Sequence, residues 1–189
     1  MDLYEVIRGR RAIRRYRPEA VQSELIHRIL TAAEWAPSGR NEQAREYLVV
    51  SGEKFRQMAA AYYQAAEIYT REWKDQSRRP PFLAFARNFG GAPLIVVVLT
   101  ELRADPLERK MVLESASAAM QNLHLAAFAE GLGSCWMTGP LQNESVIREI
   151  LGIPEEKEIV ALMPVGYPAE TPRPPSRRDP ELSVKVRWV

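Results

Sequence analysis

One cysteine in 189 residues leaves no second thiol for an internal disulfide, so Cys135 is expected in a reducing compartment. Histidine is nearly as scarce. His27 and His124 have no partner at zinc-ligand spacing, and both read as structural. No apolar run approaches the roughly 18 residues a membrane span needs; the longest, Leu94–Leu99, is strand-sized. The charges of Asp2, Glu5 and Arg8 do not suit a signal peptide. A net charge of +2 is too small to imply nucleic acid through bulk electrostatics, so neither nucleic acid nor membrane is an expected partner. No Ser-His-Asp set or carboxylate pair stands out. These absences leave a soluble, cytoplasmic, single domain over residues 1–189, whose 46% hydrophobic content suffices for a real core.

What the chain does have is arginine in one place. Arg10, Arg11 and Arg14 fall within five residues, beside the apolar anchors Val6, Ile7 and Ile13. A guanidinium is always charged and presents a planar fork of donors that matches phosphate oxygens. Taken alone, such a run is ordinarily a solvated charge cluster. Its meaning depends on the segments that follow.

Leu3, Val6 and Ile7 predict a short first helix, which Pro18 breaks. A second helix carries Leu25, Ile26, Ile29, Leu30 and Ala33, with Ser23 as its expected N-cap, and ends near Pro37. Pro37, Ser38, Gly39, Arg40, Asn41, Glu42 and Gln43 are turn chemistry, and also a compact set of polar groups able to grip a ligand. A strand over Tyr47–Val50 and a helix from about Glu53 follow, the latter burying Phe55, Met58, Ala59, Tyr62 and Tyr63. Between Lys74 and Asn88 the periodicity dissolves, which predicts a lid or exposed loop over about 74–88. Trp73 and Phe82, at its start and centre, are candidate substrate residues, able to stack on an aromatic compound. Leu94–Leu99 is continuous and β-branched, as in a strand buried on both faces. The longest helical pattern runs from Pro106 to Gly131, with a stripe of Met111, Ser115, Ala118, Ala119, Asn122, Leu123, Ala126 and Ala127, and fits a central or dimer helix. Gly131–Gly139 reads as a short strand ending in a glycine turn, Cys135 being a small core residue. A helix over Glu144–Leu151 and a strand over Glu158–Val165 lead to a proline-rich arm, about 168–189. Its alternating Val184, Val186 and Trp188 suggest an added strand.

Five segments taken together resemble the flavin-dependent nitroreductase family: Arg10–Arg14, Pro37–Gln43, Gly131–Gly139, Val165–Pro168 and the tail around Ser176 and Arg177. Their order and spacing carry the resemblance, which covers essentially the whole chain. It implies an α+β fold with a mainly antiparallel sheet flanked by helices, in an intertwined homodimer with an extended C-terminal arm. It also implies bound FMN, NAD(P)H as electron donor, and ping-pong reduction of small electrophilic acceptors such as nitroaromatics or quinones. No protein side chain is expected to be catalytic, since flavin N5 carries the hydride. By position, Arg10, Arg11, Ala12 and Arg14 match the motif that holds the FMN phosphate and reaches its ribityl and pyrimidine side. Pro37, Ser38, Gly39 and Asn41 match the loop that contacts FMN from the partner subunit. Met137, Thr138 and Gly139 match the turn whose amide faces flavin N5, and Arg177 matches the tail arginine that closes over the phosphate. Three departures stand out: Ala12 where serine is common, Ala44-Arg45 where Pro-Trp often follows, and Thr138 where glutamate is frequent. The same resemblance leaves a flavin-fragmenting or dehalogenase-type relative, or a flavin-binding regulatory protein with little turnover, as alternatives.

Overall fold

The structure, a computed structural model, describes residues 2–189. Its framework is a four-stranded sheet in the order β1-β2-β4-β3. The strands are β1 (Arg45–Val50), β2 (Leu94–Glu101), β3 (Gly133–Ser134) and β4 (Lys157–Gly166), and all three pairings are antiparallel. Helices α1 (Leu3–Gly9), α2 (Ser23–Glu34), α3 (Gly52–Tyr69), α4 (Arg79–Ala86), α5 (Pro106–Ala129) and α6 (Glu144–Leu151) cover it. The expected α+β fold with a mainly antiparallel sheet is what forms.

β2 explains the layering. Side chains alternate across a strand, and here each set enters a different core. Ile95, Val97 and Leu99 pack with Met58, Tyr62 and Ala66 of α3, Phe85 and Ala86 of α4, and Ile147 of α6. Leu94, Val96 and Val98 pack with Ile26, Ile29 and Ala33 of α2 and Ala116, Ala119, Met120, Leu123 and Ala127 of α5. With both faces covered, β2 is apolar without interruption from Leu94 to Leu99, as its sequence predicts. A bulge between Val98 and Leu99 shifts the register of the β2–β4 pair.

Several local expectations are corrected. Ser23 is the first helical residue of α2; the N-cap is Gln22, whose side chain makes no capping bond. β1 begins two residues earlier than Tyr47. The face α5 buries is Val112, Ala116, Ala119, Met120, Leu123, His124 and Ala127, one residue out of phase with the predicted stripe. Met111, Ser115, Ala118, Asn122 and Ala126 form a second, half-exposed stripe beside it. α5 stops as foreseen: Gly131 adopts φ +76, and the amides of Gly131 and Leu132 donate to the carbonyls of Phe128 and Ala127 in the Schellman pattern. Residues 74–88 are not a structureless insert. A 3-10 turn (Gln76–Arg78) leads into α4, with proline in its first turn, where the missing N–H costs nothing. In the arm, the segment around Ser183 is not a strand. It curls about Asp179, whose carboxylate accepts the amides of Ser183, Val184 and Lys185, and Val184 and Trp188 stay exposed.

Candidate active site

The arginine segment is held by backbone pairings from remote parts of the chain. Gly9 seats the end of α1 directly on α5: a Cβ there would lie 2.7 Å from the Phe128 ring. Beyond it, the Ile13 amide donates to the Ser134 carbonyl at 3.0 Å, Tyr16 to Gly90 at 2.9 Å and Arg17 to Tyr167 at 2.9 Å. The Ala169 amide in turn donates to the Arg15 carbonyl at 2.9 Å. The buried Tyr16 hydroxyl lies 2.7 Å from the Ile13 carbonyl and 3.1 Å from that of Pro164. Glu170 completes the frame: one carboxylate oxygen accepts the Arg14 amide at 2.6 Å, and the other faces Arg15 Nε at 3.2 Å. The sequence offers no signal for Tyr16 or Glu170, because their partners lie far away in the chain.

This frame separates the arginines by role. Arg11 turns back on the backbone, donating to the carbonyls of Arg8 (2.6 Å) and Arg10 (2.7 Å), and its Nε is buried without a partner. Among the described residues, the guanidiniums of Arg10 and Arg14 make no hydrogen bond or ion pair. Arg10 lines a groove of about 360 Å³ with Ser134, Phe128, Pro168 and Pro174, where the arm crosses the arginine segment. Arg14 lines a separate cleft of about 1210 Å³ with Trp73, Phe82, Phe85, Asn88 and Gly90. Glu170 stands on the wall between them and lines both. Arg177 lies three residues beyond Pro174 in the same arm; it is exposed and does not itself line the groove.

The cleft wall is aromatic. Trp73 packs on Phe82 at 4.9 Å between centroids, Tyr69 on Phe82 at 5.8 Å, and Tyr62 edge-on to Phe82 at 6.2 Å. Both predicted substrate residues therefore stand in the same cleft as Arg14. The turn Met137–Gly139 borders this cluster. Met137 is fixed by paired bonds to Leu162, each 2.9 Å, while Thr138 is exposed and its amide bonds to no protein acceptor. A Cβ on Gly139 would sit 3.4 Å from the Tyr62 hydroxyl, so the turn lies close over α3. Burial pushes the Tyr62 and Tyr16 phenols up, with Arg14's charge acting weakly against it, and burial also pushes the Cys135 thiol up. All three stay neutral near pH 7, and Cys135 is the inert core residue expected.

His124 is less ordinary than the sequence implies. Its Nδ1 lies 2.7 Å from Ser134 Oγ and its ring stacks on Trp136, but Nε2 is buried with no partner. Burial first, and the nearby Arg10 second, depress its pKa to about 4. His27 lies exposed on α2.

The loop Pro37–Gln43 is elsewhere. Gly39 donates to Ser115 Oγ at 3.2 Å, and a Cβ on Gly39 would strike Met111 at 2.3 Å. Arg40, Asn41 and Gln43 adopt positive φ of 53, 58 and 51, a strained conformation concentrated in one short loop. The loop thus docks on α5 near Ser115 and the arginine segment near Phe128, roughly 20 Å apart at the helical rise. Within one subunit, Ser38, Gly39 and Asn41 do not meet Arg10 or Arg14. The Arg45 departure has a structural role: its guanidinium is buried and holds Glu34 Oε1 (3.1 Å) and the carbonyls of Glu34 (2.7 Å) and Ala36 (3.0 Å), fixing the turn that leads into the loop.

The model of the nitroreductase family matches residues 7–167, and the chain belongs to that family. A relative from Methanothermobacter thermautotrophicus, provisionally named an NADH dehydrogenase/NAD(P)H nitroreductase, is 31% identical over 100% of this chain and 88% of its own length. The iodotyrosine deiodinase of Thermotoga neapolitana is equally similar, 31% identical over 98% of this chain and 97% of its own. Among solved structures, an iodotyrosine deiodinase bound to FMN and 3-iodo-L-tyrosine superposes with a TM-score of 0.80 at 26% identity, covering 100% of this chain and 99% of that one. No helix among the described residues is long and apolar enough to cross a membrane.

Proposed function

We propose that this protein is an FMN-dependent oxidoreductase that uses NAD(P)H to reduce small electrophilic acceptors, such as nitroaromatics or quinones, donor and acceptor entering one cleft in turn. The observation that carries this reading is the pair of unbonded guanidiniums, Arg10 and Arg14, displayed on the two sides of one wall. Arg10, with Arg177 from the arm, is suited to a phosphate, and Arg14 to the electron-rich edge of a flat ring lying in the larger cleft. Bound there, FMN would supply the hydride chemistry that no side chain of this protein offers. The residues fit that group: the Arg10 and Arg14 guanidiniums lack protein partners, the Thr138 amide is unused, and the cleft is lined by aromatic side chains.

A homodimer is part of the reading. The separation of Pro37–Asn41 from the arginines along α5 is resolved if two α5 helices pair antiparallel through their half-exposed stripes. Each loop then faces the partner's arginine segment. The purified protein should be yellow, with flavin absorbance near 450 nm. Replacing Arg10 or Arg177 with Ala should weaken FMN binding by about 1.5–3 kcal/mol, the scale of a charge-assisted hydrogen bond. Unchanged affinity in both variants would refute the assignment. The deiodinase relatives favour a second reading, reductive dehalogenation. Release of iodide from 3-iodotyrosine by dithionite-reduced protein separates the two.

A further inference from the structure

The cleft that holds Arg14, Trp73 and Phe82 carries more positive charge than a flavin requires. Three arginines line it, Arg14, Arg15 and Arg78, against one acid, Glu170. Glu170 is already engaged, with one oxygen on the Arg14 amide and the other on Arg15 Nε. Assigning Arg14 to the cofactor leaves Arg78 as a cation on the aromatic wall without an ion-pair partner among the described residues. Its guanidinium lies 5.7 Å from the Trp73 ring centroid. A guanidinium held over an aromatic face by its charge keeps N–H donors free for an acceptor.

The position of Arg78 is built by its surroundings. The Gln76 side-chain amide donates to the carbonyls of Trp73 (2.7 Å), Arg71 (3.1 Å) and Thr70 (3.3 Å), tying the corner after α3 into one unit. The Asp75 carboxylate caps the next turn, accepting the Ser77 amide at 3.1 Å and its hydroxyl at 2.5 Å. Arg79 reaches back to the buried Thr70 hydroxyl at 3.1 Å. Trp73 is thus held from behind by Tyr69 and Phe82 and tied from below by Gln76, with Arg78 laid over it.

From this we infer that the acceptor is an aromatic compound bearing an anionic group, a carboxylate, sulfonate or phosphate, and that Arg78 is the specificity residue that reads its charge. The inference rests on the oxidoreductase reading above and adds to it the charge of the substrate. An aromatic ring packs against Phe82 and the free edge of Trp73, and its anionic substituent meets Arg78 at the rim. Because Arg78 is solvent-exposed, the gain is modest and screened by salt.

The test uses the holoprotein and paired probes that differ in charge. Benzoate and benzyl alcohol are titrated calorimetrically into the oxidised protein. In a second arm, dithionite-reduced protein is reoxidised anaerobically by 4-nitrobenzoate or 4-nitrobenzyl alcohol, with the second-order rate constant read from flavin absorbance. The anionic probe should be preferred about three- to tenfold in both arms. That preference should vanish in R78Q, persist largely in R78K and shrink as salt rises. Equal handling of the two probes by the wild type, or an undiminished preference in R78Q, would overturn the inference. So would an R78Q effect confined to the ratio of NADPH to NADH use, which would assign Arg78 to the donor's phosphate. The calorimetric arm needs no turnover, so failure here, equal binding of the two probes to a flavin-loaded protein, differs from failure of the flavin reading, a colourless protein that takes up no FMN.

Discussion

Replacing Gly133 with Ala probes the link between sheet packing and the arginine site. An added Cβ would lie 2.7 Å from Ile13 Cγ1, 2.8 Å from its Cβ and 2.9 Å from its Cγ2. Ordinary carbon contacts are about 3.5–4.0 Å, so Ile13 must retreat by about 1 Å. A rotamer change cannot supply this, because Ile13 Cβ is itself among the crowded atoms. The backbone of residues 12–14 has to move, stretching the 3.0 Å bond from the Ile13 amide to Ser134 and carrying Arg14 with it. Overpacking of this kind costs about 1–3 kcal/mol, which in a domain of this size lowers the melting temperature by about 2–4 °C per kcal/mol. The expected outcome is a melting point about 2–12 °C lower by circular dichroism, together with weaker FMN binding by fluorescence titration. Gly152→Ala is the control. Its φ is +70 with open space around it, so it should lose about 1 kcal/mol through backbone strain and leave FMN affinity unchanged. A Gly133→Ala protein with wild-type melting temperature and flavin affinity would refute the reasoning.

Three further outcomes are expected. His124 is neutral in the fold down to about pH 4, whereas an unfolded histidine protonates near its ordinary value of 6.5. Between those values the unfolded chain binds the extra proton, so stability is fully present above about pH 6.5 and declines as pH falls toward 4, by at most about 3 kcal/mol. Urea unfolding at pH 7 and pH 4.5 should show that loss in the wild type and a smaller one in His124→Leu. Trp73→Ala and Phe82→Ala should each raise KM for aromatic acceptors about two- to tenfold, the value of an aromatic contact, and slow flavin reduction by NAD(P)H less; identical KM values for several acceptors would exclude Trp73 and Phe82 from the substrate wall. Deleting the residues after Leu182, which include the exposed Val184 and Trp188, should weaken both self-association in sedimentation and flavin retention.

The sequence was most informative where the signal is local. β2 is legible because the part of a strand covered on both faces, here Leu94 to Leu99, is apolar throughout. The end of α5 is legible because only glycine adopts the conformation of Gly131 without strain. α4 was hidden for the opposite reason. It has eight residues, carries Pro80 and Pro81 in its first turn, and shows too few apolar repeats to establish a period, although proline in the first turn is itself a helix-start signal. In α5, alanines occur on two adjacent stripes of similar hydrophobicity, and packing against α2 and β2 chooses between them. The alternation in the arm suggested a strand, but the Asp179 carboxylate offers the backbone a closer set of acceptors. For the candidate site, residue types were readable while their separation was not. Nothing in Arg10–Arg14 says that Arg10 and Arg14 serve different cavities, or that Glu170 stands between them.

The pairings that hold the arginine segment have a consequence for how the protein is made. Ile13 is tied to Ser134, Tyr16 to Gly90 and Pro164, Arg17 to Tyr167, Arg15 to Ala169 and Arg14 to Glu170. Every one of these partners is synthesised long after the segment itself, and all but Gly90 belong to the last third of the chain. Closing such long loops is entropically unfavourable until the sheet exists to receive them. The arginines therefore emerge from the ribosome among the first residues and are fixed among the last. A nascent chain stopped short of β4 can carry all three of them and still have no place to hold them.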